Sequence, residues 1–329
     1  MLFFRVFLET EYLVLTRGKA GLCRLEVAWG KELEDYSFPG GHPFSRERTI
    51  LFAESIKKES LELVSPRTAI EEDLLLFHTR HYVDYVKERS ELGQGYLDLG
   101  DTPAFKGIFE VSLFIVGTTL FGLDQIINKK TDHFFNPIGG LHHAMRDRAG
   151  GFCVFNDAAI AIASALRRYK RVAYIDIDAH HGDGVYYGFE SDPKVIIGDI
   201  HEDGRFLFPG TGSLTETGKE AAVGTKFNAP LEPGAGDDRF VESFDRIVEF
   251  VGKLEPEFIF LQCGADSLSG DPIAQLKYSE KAHAYAARKL HEMSHSLCDG
   301  RILAMGGGGY EKKNVERAWM AVARELAKS

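Results

Sequence analysis

Short apolar runs alternate with longer segments of helical periodicity throughout the second half of the chain. The short runs are rich in β-branched and aromatic residues and predict strands at about 171–177, 194–200, 257–263 and 301–305. The longer segments carry apolar residues three and four positions apart and predict helices at 156–169, 237–253, 279–297 and 313–327. This alternation is typical of a parallel sheet whose strands are joined by helical crossovers.

The first half of the chain follows the same theme less regularly. A first strand is expected at about 22–28, and helices are expected at 47–58, 79–90 and 104–129. No linker, repeat or low-complexity segment divides the chain. The pattern therefore predicts an N-terminal extension over residues 1–21 and one α/β domain over residues 22–329. The expected architecture is three layers, α/β/α, around a mainly parallel central sheet.

Composition narrows the classes of function. The chain has 329 residues, of which 44% are hydrophobic and 27% charged, as in an ordinary globular protein with a sizeable core. Its net charge of -10 argues against nucleic-acid binding, which needs clustered Lys and Arg, and suits a cationic substrate. Arg5 and Glu9 interrupt the apolar start before a signal peptide forms, and no run approaches membrane length, so no membrane contact is expected.

The cysteines bear on the cellular compartment. Cys23, Cys153, Cys263 and Cys298 are far apart and form no CxxC pair. This spacing predicts neither a disulfide framework nor a thiolate zinc site, and it fits a reducing cytoplasm.

The strongest chemical signal is a group of carboxylates and imidazoles at the end of a predicted buried strand. In an extended segment side chains two apart point to the same side, so Asp176, Asp178 and His180 share one rim. Buried carboxylates need a cation or hydrogen-bond donors. Asp266 closes another apolar run and is the natural third ligand beside Asp178 and His180. Two Asp and one His leave a coordination position open, as in catalytic sites for zinc or for iron or cobalt.

Two further motifs supply proton-transfer groups. His142 and His143 lie side by side in a glycine-rich loop, and Asp176 and Asp183 are available to orient one imidazole each. Four glycines at 306–309 deliver Tyr310, whose phenol can donate a hydrogen bond to an oxyanion. Taken alone, each motif also fits a structural loop, and only their combination favours a catalytic site.

Together these residues resemble the zinc-dependent histone deacetylase family, which includes acetoin-utilisation proteins and acetylpolyamine amidohydrolases on the arginase-like α/β fold. The matching motifs span about residues 25–329 in the family's order. They are Gly140-Leu141-His142-His143, Gly151-Phe152-Cys153 with Asn156-Asp157, Asp176 to Gly184, Phe208-Pro209-Gly210-Thr211-Gly212, Gly264-Ala265-Asp266 and Gly306 to Tyr310.

The resemblance implies roles for individual residues. The metal would be held by Asp178, His180 and Asp266. The catalytic set would comprise a His142–Asp176 pair, a His143–Asp183 pair and Tyr310, which polarises the substrate carbonyl. The substrate channel would have Phe152 and Phe208 as its walls and Gly151 as its floor. Asp101 would be a carboxylate at its rim, and Ile273 would lie beside its mouth.

Two more elements come with the resemblance. His42-Pro43 followed by Arg48 is similar to an early family motif whose Arg lies beside an internal cavity near the metal. Family members also carry a monovalent cation, K⁺ or Na⁺, beneath the site. Its ligands would be Asp176, Asp178, His180, Asp199 and Ile200. Position 199 departs from the family because many members have Ser there. His201 receives no catalytic role, and His291 and His295 are expected to be surface or core groups.

The implied reaction is metal-dependent hydrolysis of a linear amide, which removes acetyl groups from acetyl-lysine in proteins or peptides. The alternative substrate is an acetylpolyamine or another small acetylamine, and it would call for an acidic gate where this chain has Ile273. An arginase-like ureohydrolase fits poorly, because Gly182 stands where a second metal would require Asp. A non-catalytic protein that only binds acetyl-lysine would be expected to lack a metal ligand, one of the two adjacent histidines or the tyrosine. This chain has all of them.

Overall fold

Eight strands form one sheet in the computed structural model, which describes residues 23–59 and 61–328. In chain order the strands are β1 (Leu25–Ala28), β2 (Glu62–Val64), β3 (His133–Asn136), β4 (Val172–Asp176), β5 (Val195–Glu202), β6 (Lys226–Leu231), β7 (Ile259–Gln262) and β8 (Ile302–Met305). They are arranged β2-β1-β3-β8-β7-β4-β5-β6, and all seven strand pairings are parallel. The predicted α/β class is confirmed, while the extension predicted at 1–21 lies outside the described residues.

Three strands were not predicted, and each has a local reason. Strand β2 has only three residues and lies at one edge of the sheet. Strand β3 reads His-Phe-Phe-Asn, with no alternation of apolar and polar residues, because it is buried on both faces. Strand β6 contains Pro230, which normally argues against a strand but is tolerated at the sheet edge that β6 forms.

Ten α-helices surround the sheet in the described residues. They are α1 (Lys31–Glu34), α2 (Ile50–Ile56), α3 (Glu71–Leu74), α4 (Arg80–Leu92), α5 (Ile108–Ile127), α6 (Asp157–Ala165), α7 (Asp183–Gly188), α8 (Asp237–Lys253), α9 (Glu280–Leu297) and α10 (Lys312–Leu326). All seven predicted helices are present, with ends shifted by a few residues. The helices that were missed, α1, α3 and α7, are too short to show a helical period.

Helix α5 corrects the expectation that no apolar run approaches membrane length. It is long and apolar enough, by length and composition alone, to cross a membrane, yet half of its most apolar window is buried inside the fold. Gly122 packs against Phe134 of β3, and Thr119 donates a 2.6 Å hydrogen bond to the buried Asp157 at the start of α6. These contacts are those of a core helix.

The sheet register brings the polar strand ends together. Asp176, the last residue of β4, pairs with Asp199 on β5 and with Gln262, the last residue of β7. All three side chains are fully buried. Because ligands of parallel α/β sheets bind outside the carboxyl ends of the strands, this edge is where the site is expected.

Candidate active site

The three side chains predicted to bind a metal converge at the carboxyl ends of β4 and β7. Asp178, His180 and Asp266 each offer a ligand atom, and these atoms lie within 4.8 Å of one another. His180 Nδ1 is 3.0 Å from an Asp178 oxygen and 3.1 Å from an Asp266 oxygen. At most 6% of any of these residues is exposed. Asp266 is more than 80 positions from the other two in sequence, yet the three form one compact set of ligands.

The electrostatics of this set fit a bound cation. Burial lowers the pKa of His180, but Asp178 and Asp266 outweigh burial and raise that pKa to about 10. Burial, then the neighbouring Asp178 charge, raises the pKa of Asp266 to about 7. The two carboxylates thus favour a positive charge between them. Two oxygens and one imidazole nitrogen suit Zn²⁺ and similar divalent ions, and three protein ligands leave a position for substrate or water.

Neighbouring groups fix the orientation of the carboxylates. One Asp178 oxygen accepts hydrogen bonds from the Gln262 side chain at 2.8 Å and from the Gly308 N–H at 2.9 Å. Asp266 accepts from the Ala179 N–H at 2.9 Å. A Cβ at Gly308 would collide with Asp266, so the glycine-rich loop is needed for its close approach. Gln262 had no predicted role, although a polar residue that ends an apolar strand was a visible signal.

The adjacent imidazoles each have a buried carboxylate partner. His142 Nδ1 lies 2.7 Å from Asp176, and His143 Nδ1 lies 2.6 Å from Asp183. The two Nε2 atoms are 3.1 Å apart. The structure therefore brings together the residues of both predicted His–Asp pairs and directs the free nitrogens toward one place.

The two imidazoles differ in their affinity for a proton. Burial lowers the pKa of His142, but Asp176 and Asp178 outweigh burial and raise it to about 9. Burial and the neighbouring His142 lower the pKa of His143 to about 4. At neutral pH, His142 therefore holds a proton, whereas His143 is free to accept one.

Asn156 and Asp157 hold the loop that carries both imidazoles. The Asn156 amide donates to the carbonyl oxygens of His142 and Ala144, at 3.2 and 3.0 Å. Asp157 accepts from the N–H groups of Gly140 and Leu141. Asn156 also caps α6, so the helix start and the histidine loop are fixed by the same two residues.

Tyr310 and Arg48 meet at the glycine-rich loop. Arg48 is buried and donates to the carbonyl oxygens of Gly307 and Gly309, at 2.6 and 2.7 Å. The Tyr310 N–H donates to Asp271 at 2.8 Å, while its ring lines a small inner pocket with His143 and His180. Burial, then the charges of Asp266 and Asp178, raise the pKa of Tyr310 well above its ordinary value, so its hydroxyl stays protonated.

An outer cavity leads to this inner pocket. It has a volume of about 720 Å³, and His143 and Gly151 line both spaces. Phe208 lines the outer cavity and packs its ring 5.0 Å from His143. The Phe152 ring lies 5.8 Å from Tyr310, and Phe152 holds a positive φ of 68° beside Gly151. Each predicted channel wall thus contacts one predicted catalytic side chain.

The rim residues fall in different places. Asp101 lines the outer cavity next to Asp98, whose carboxylate accepts from three backbone N–H groups. Burial and Asp98 raise the pKa of Asp101 to about 7. Ile273 is half-buried, with its N–H donating to Asp271, and it lines neither the inner pocket nor the outer cavity. Of the two residues predicted at the mouth, Asp101 therefore lines the outer cavity and Ile273 does not.

Of the residues predicted to bind a monovalent cation, Asp178 and His180 also belong to the metal-binding set, and Asp199 has an unexpected partner. Asp199 contacts His201 Nδ1 at 2.6 Å and accepts from the Gly182 N–H at 2.9 Å. Asp199, Ile200 and His201 are all fully buried on β5. His201 also contacts the Gly212 carbonyl at 2.9 Å, so it links the sheet to the Phe208 loop. The extra carboxylate at position 199 thus has an imidazole partner, a role that sequence reasoning missed.

Comparison with known proteins agrees with this geometry. The histone deacetylase domain model matches residues 42–326. The acetoin utilization protein AcuC of Bacillus subtilis (strain 168) is 39% identical over 307 residues, which cover 89% of this chain and 79% of that protein. Histone deacetylase 6 of Arabidopsis thaliana is 35% identical over 312 residues, or 90% of this chain and 65% of that protein.

A solved structure shows the same fold. The crystal structure of the HDA15 HD domain superposes with a TM-score of 0.86 at 24% sequence identity, covering 93% of this chain and 88% of that chain. The family model spans most of the sequence, and the AcuC relative matches along nearly the whole chain. The chain therefore belongs to the histone deacetylase family.

Proposed function

We propose that this deacetylase removes acetyl groups from the side-chain amine of acetyl-lysine in proteins or peptides, using a zinc ion held by Asp178, His180 and Asp266. The observation that supports this most directly is the meeting of those three ligands with two His–Asp pairs at the base of one cavity. Bound zinc would supply a Lewis acid and lower the pKa of water toward ~7. A K⁺ or Na⁺ ion near Asp199 belongs to the same proposal.

His143 is the proposed proton carrier. Its lowered pKa keeps it neutral, so it can accept a proton from the attacking water and return it to the leaving amine. His142 stays protonated beside Asp176 and acts by its charge and by orienting water. Tyr310, also protonated, donates to the developing oxyanion. The amide C–N bond breaks, and acetate and the free amine leave.

The shape of the entrance supports a long aliphatic substrate arm. Phe208 lines this entrance, and Phe152 lines an adjoining cavity that also contains Asp101. We expect both rings to contact the methylenes of a lysine side chain, each worth roughly 0.8 kcal/mol when buried. An acetylpolyamine would fit the same entrance, and the carboxylates of Asp98 and Asp101 would attract its distal amine. We favour acetyl-lysine because the Asp101 carboxylate, which lines the outer cavity, can accept a hydrogen bond from the backbone N–H of a peptide substrate. We also propose that the reaction takes place in the cytoplasm, since none of the four cysteines forms a disulfide. We propose no nucleic-acid partner, because the net charge is -10, and no membrane partner.

The substrate is tested by a panel of acetyl-lysine peptides, acetylputrescine and acetylspermidine with zinc-loaded enzyme. We expect kcat/KM to be higher for the peptides by at least about tenfold. The Tyr310→Phe variant serves as the control for contaminating activity. A preference for the free acetylamines would replace the proposed substrate while leaving the reaction intact. Hydrolysis of no acetylated compound by metal-loaded protein would overturn the reaction as well.

Replacement of Tyr310 by Phe is expected to lower kcat by about two to three powers of ten, because one oxyanion donor is removed. The ring and its contact with Phe152 are kept, so bound metal and substrate affinity should change little. Steady-state kinetics and metal analysis check this result. Tyr285→Phe is the matched control, because Tyr285 is half-buried on α9 and its hydroxyl donates to Asp245. Unchanged turnover in Tyr310→Phe would exclude the phenol from catalysis.

Asp101 predicts a pH dependence of substrate binding. Since its pKa is raised to about 7, the group is neutral below that pH and ionised above it. An ionised carboxylate accepts hydrogen bonds more strongly, so KM for an acetylated peptide should fall as the pH rises through about 7. Asp101→Asn should remove this fall, whereas Asp84→Asn, on the exposed face of α4, should retain it. Identical KM profiles in wild type and Asp101→Asn would contradict the proposed role.

A further inference from the structure

A second cluster of metal-binding side chains lies at the opposite edge of the sheet. It comprises Cys23, His133, His291 and His295, which each offer a ligand atom within 4.8 Å of the others. His133 is the first residue of β3, and Cys23 lies just before β1, the neighbouring strand. His291 and His295 are one turn apart on α9. This is the amino-terminal edge of the strands, whereas the active site lies at their carboxyl ends.

Three of the four ligand atoms are separated by distances close to those around a tetrahedral zinc ion. Cys23 Sγ is 3.5 Å from His291 Nε2 and 3.3 Å from His295 Nε2, and the two Nε2 atoms are 2.9 Å apart. Tetrahedral zinc with ordinary Zn–N and Zn–S bonds separates its ligand atoms by about 3.3–3.6 Å. Cys23, His291 and His295 therefore need to move apart by only a few tenths of an ångström to bind an ion, and the ligand atom of His133 lies within 4.8 Å of theirs. Two His at i and i+4 on one helix face are a common way to hold zinc.

His133 shows that the cluster is unsatisfied without a ligand. Its side chain is fully buried, and neither ring nitrogen has a hydrogen-bond partner among the described residues. Its ring packs edge-on against His291 at 4.7 Å and against His295 at 5.6 Å. A buried imidazole without a partner costs free energy that a coordinate bond would offset.

We infer that Cys23, His133, His291 and His295 form a second, structural metal site that prefers Zn²⁺. One sulfur and three imidazole nitrogens are soft and borderline ligands that suit zinc and leave no position open for substrate. The Cys23 thiol would release its proton to solvent when Sγ binds the ion. The site joins the start of β1, the start of β3 and the C-terminal half of α9, so its role is to hold these elements together.

The first test counts metal ions in full-length protein whose active site has been disabled. The Asp178→Asn/Asp266→Asn variant, dialysed and then loaded with Zn²⁺, should retain about one equivalent by mass spectrometry. Adding His295→Ala should remove that equivalent. His295 is exposed, so this change leaves the core packed, and the exposed His81 provides the matched control as His81→Ala. Equal zinc content with and without His295 would overturn the inference.

The second test uses cobalt and does not depend on the active-site substitutions. Only the second cluster contains sulfur, so wild-type protein loaded with Co²⁺ should show near-ultraviolet thiolate-to-cobalt charge transfer. Cys23→Ser should lose that absorption, whereas Cys298→Ser, at the C-terminal end of α9 outside the cluster, should keep it. Absence of the band from cobalt-loaded wild type, or its persistence in Cys23→Ser, would mean that no metal binds Cys23. Neither readout requires deacetylase activity.

Discussion

Substitution of Asp266 by Asn is expected to release the active-site metal and to lower kcat/KM by on the order of 10³-fold or more. Asp266 is fully buried, and one of its oxygens contacts His180 at 3.1 Å. An amide keeps the size of the side chain but removes the charge that favours a divalent ion. Metal content per chain and hydrolysis of an acetyl-lysine peptide, measured on the same samples, check the result.

Chelation tests independently whether hydrolysis depends on the bound metal. Dialysis of wild type against a strong chelator should abolish hydrolysis, and added Zn²⁺ should restore it. Asp84→Asn, an exposed change of the same chemistry, should behave as wild type. Full activity in chelated wild type, or in metal-depleted Asp266→Asn, would show that hydrolysis does not need this site.

Replacement of His143 by Ala is expected to lower kcat by on the order of 10²–10⁴-fold with the metal retained, as for loss of a general acid–base group. His143 faces both the inner pocket and the outer cavity, and its lowered pKa makes it the proton acceptor of the pair. Since that pKa is about 4, the contribution of this base should rise as the pH increases through about 4 and then remain constant. The variant should lose this acid limb in a plot of kcat/KM against pH.

His142 supplies the comparison. Its raised pKa, about 9, keeps it protonated, so His142→Ala should also slow the reaction but should retain the acid limb that belongs to His143. Asp183→Asn, which removes the carboxylate partner of His143, should fall between wild type and His143→Ala. If His142→Ala abolished the acid limb and His143→Ala preserved it, the two roles would have to be exchanged.

Much of the candidate site was predictable because its metal-binding side chains come directly after predicted strands. Asp178 and His180 alternate after an apolar run and Asp266 closes another, so a parallel sheet had to bring them to one edge. The partners of these residues were harder to predict. Gln262 acts through contacts set by strand register. Asp199 and His201 are two apart on β5 and so point to the same side, but the sequence does not show that both are buried and paired.

The second cluster marks the limit of sequence reasoning more clearly. Cys23 and His291 are 268 positions apart, and the spacing of the cysteines gave no sign of a thiolate site. The expectation that His291 and His295 are merely surface or core groups followed from their helical pattern, which does not show what they face. Strand β3, which carries His133, was itself missed because it lacks alternation. Only the assembled tertiary structure places these four residues together.

Arg48 links the first quarter of the chain to its last few dozen residues, through hydrogen bonds to Gly307 and Gly309. During synthesis, the guanidinium therefore emerges from the ribosome long before its acceptors do. The loop that presents Tyr310 can reach its working shape only after Gly307 and Gly309 have been made and accept from Arg48. A chain terminated before Gly307 would thus contain both catalytic imidazoles yet be inactive, because it lacks these acceptors and Tyr310.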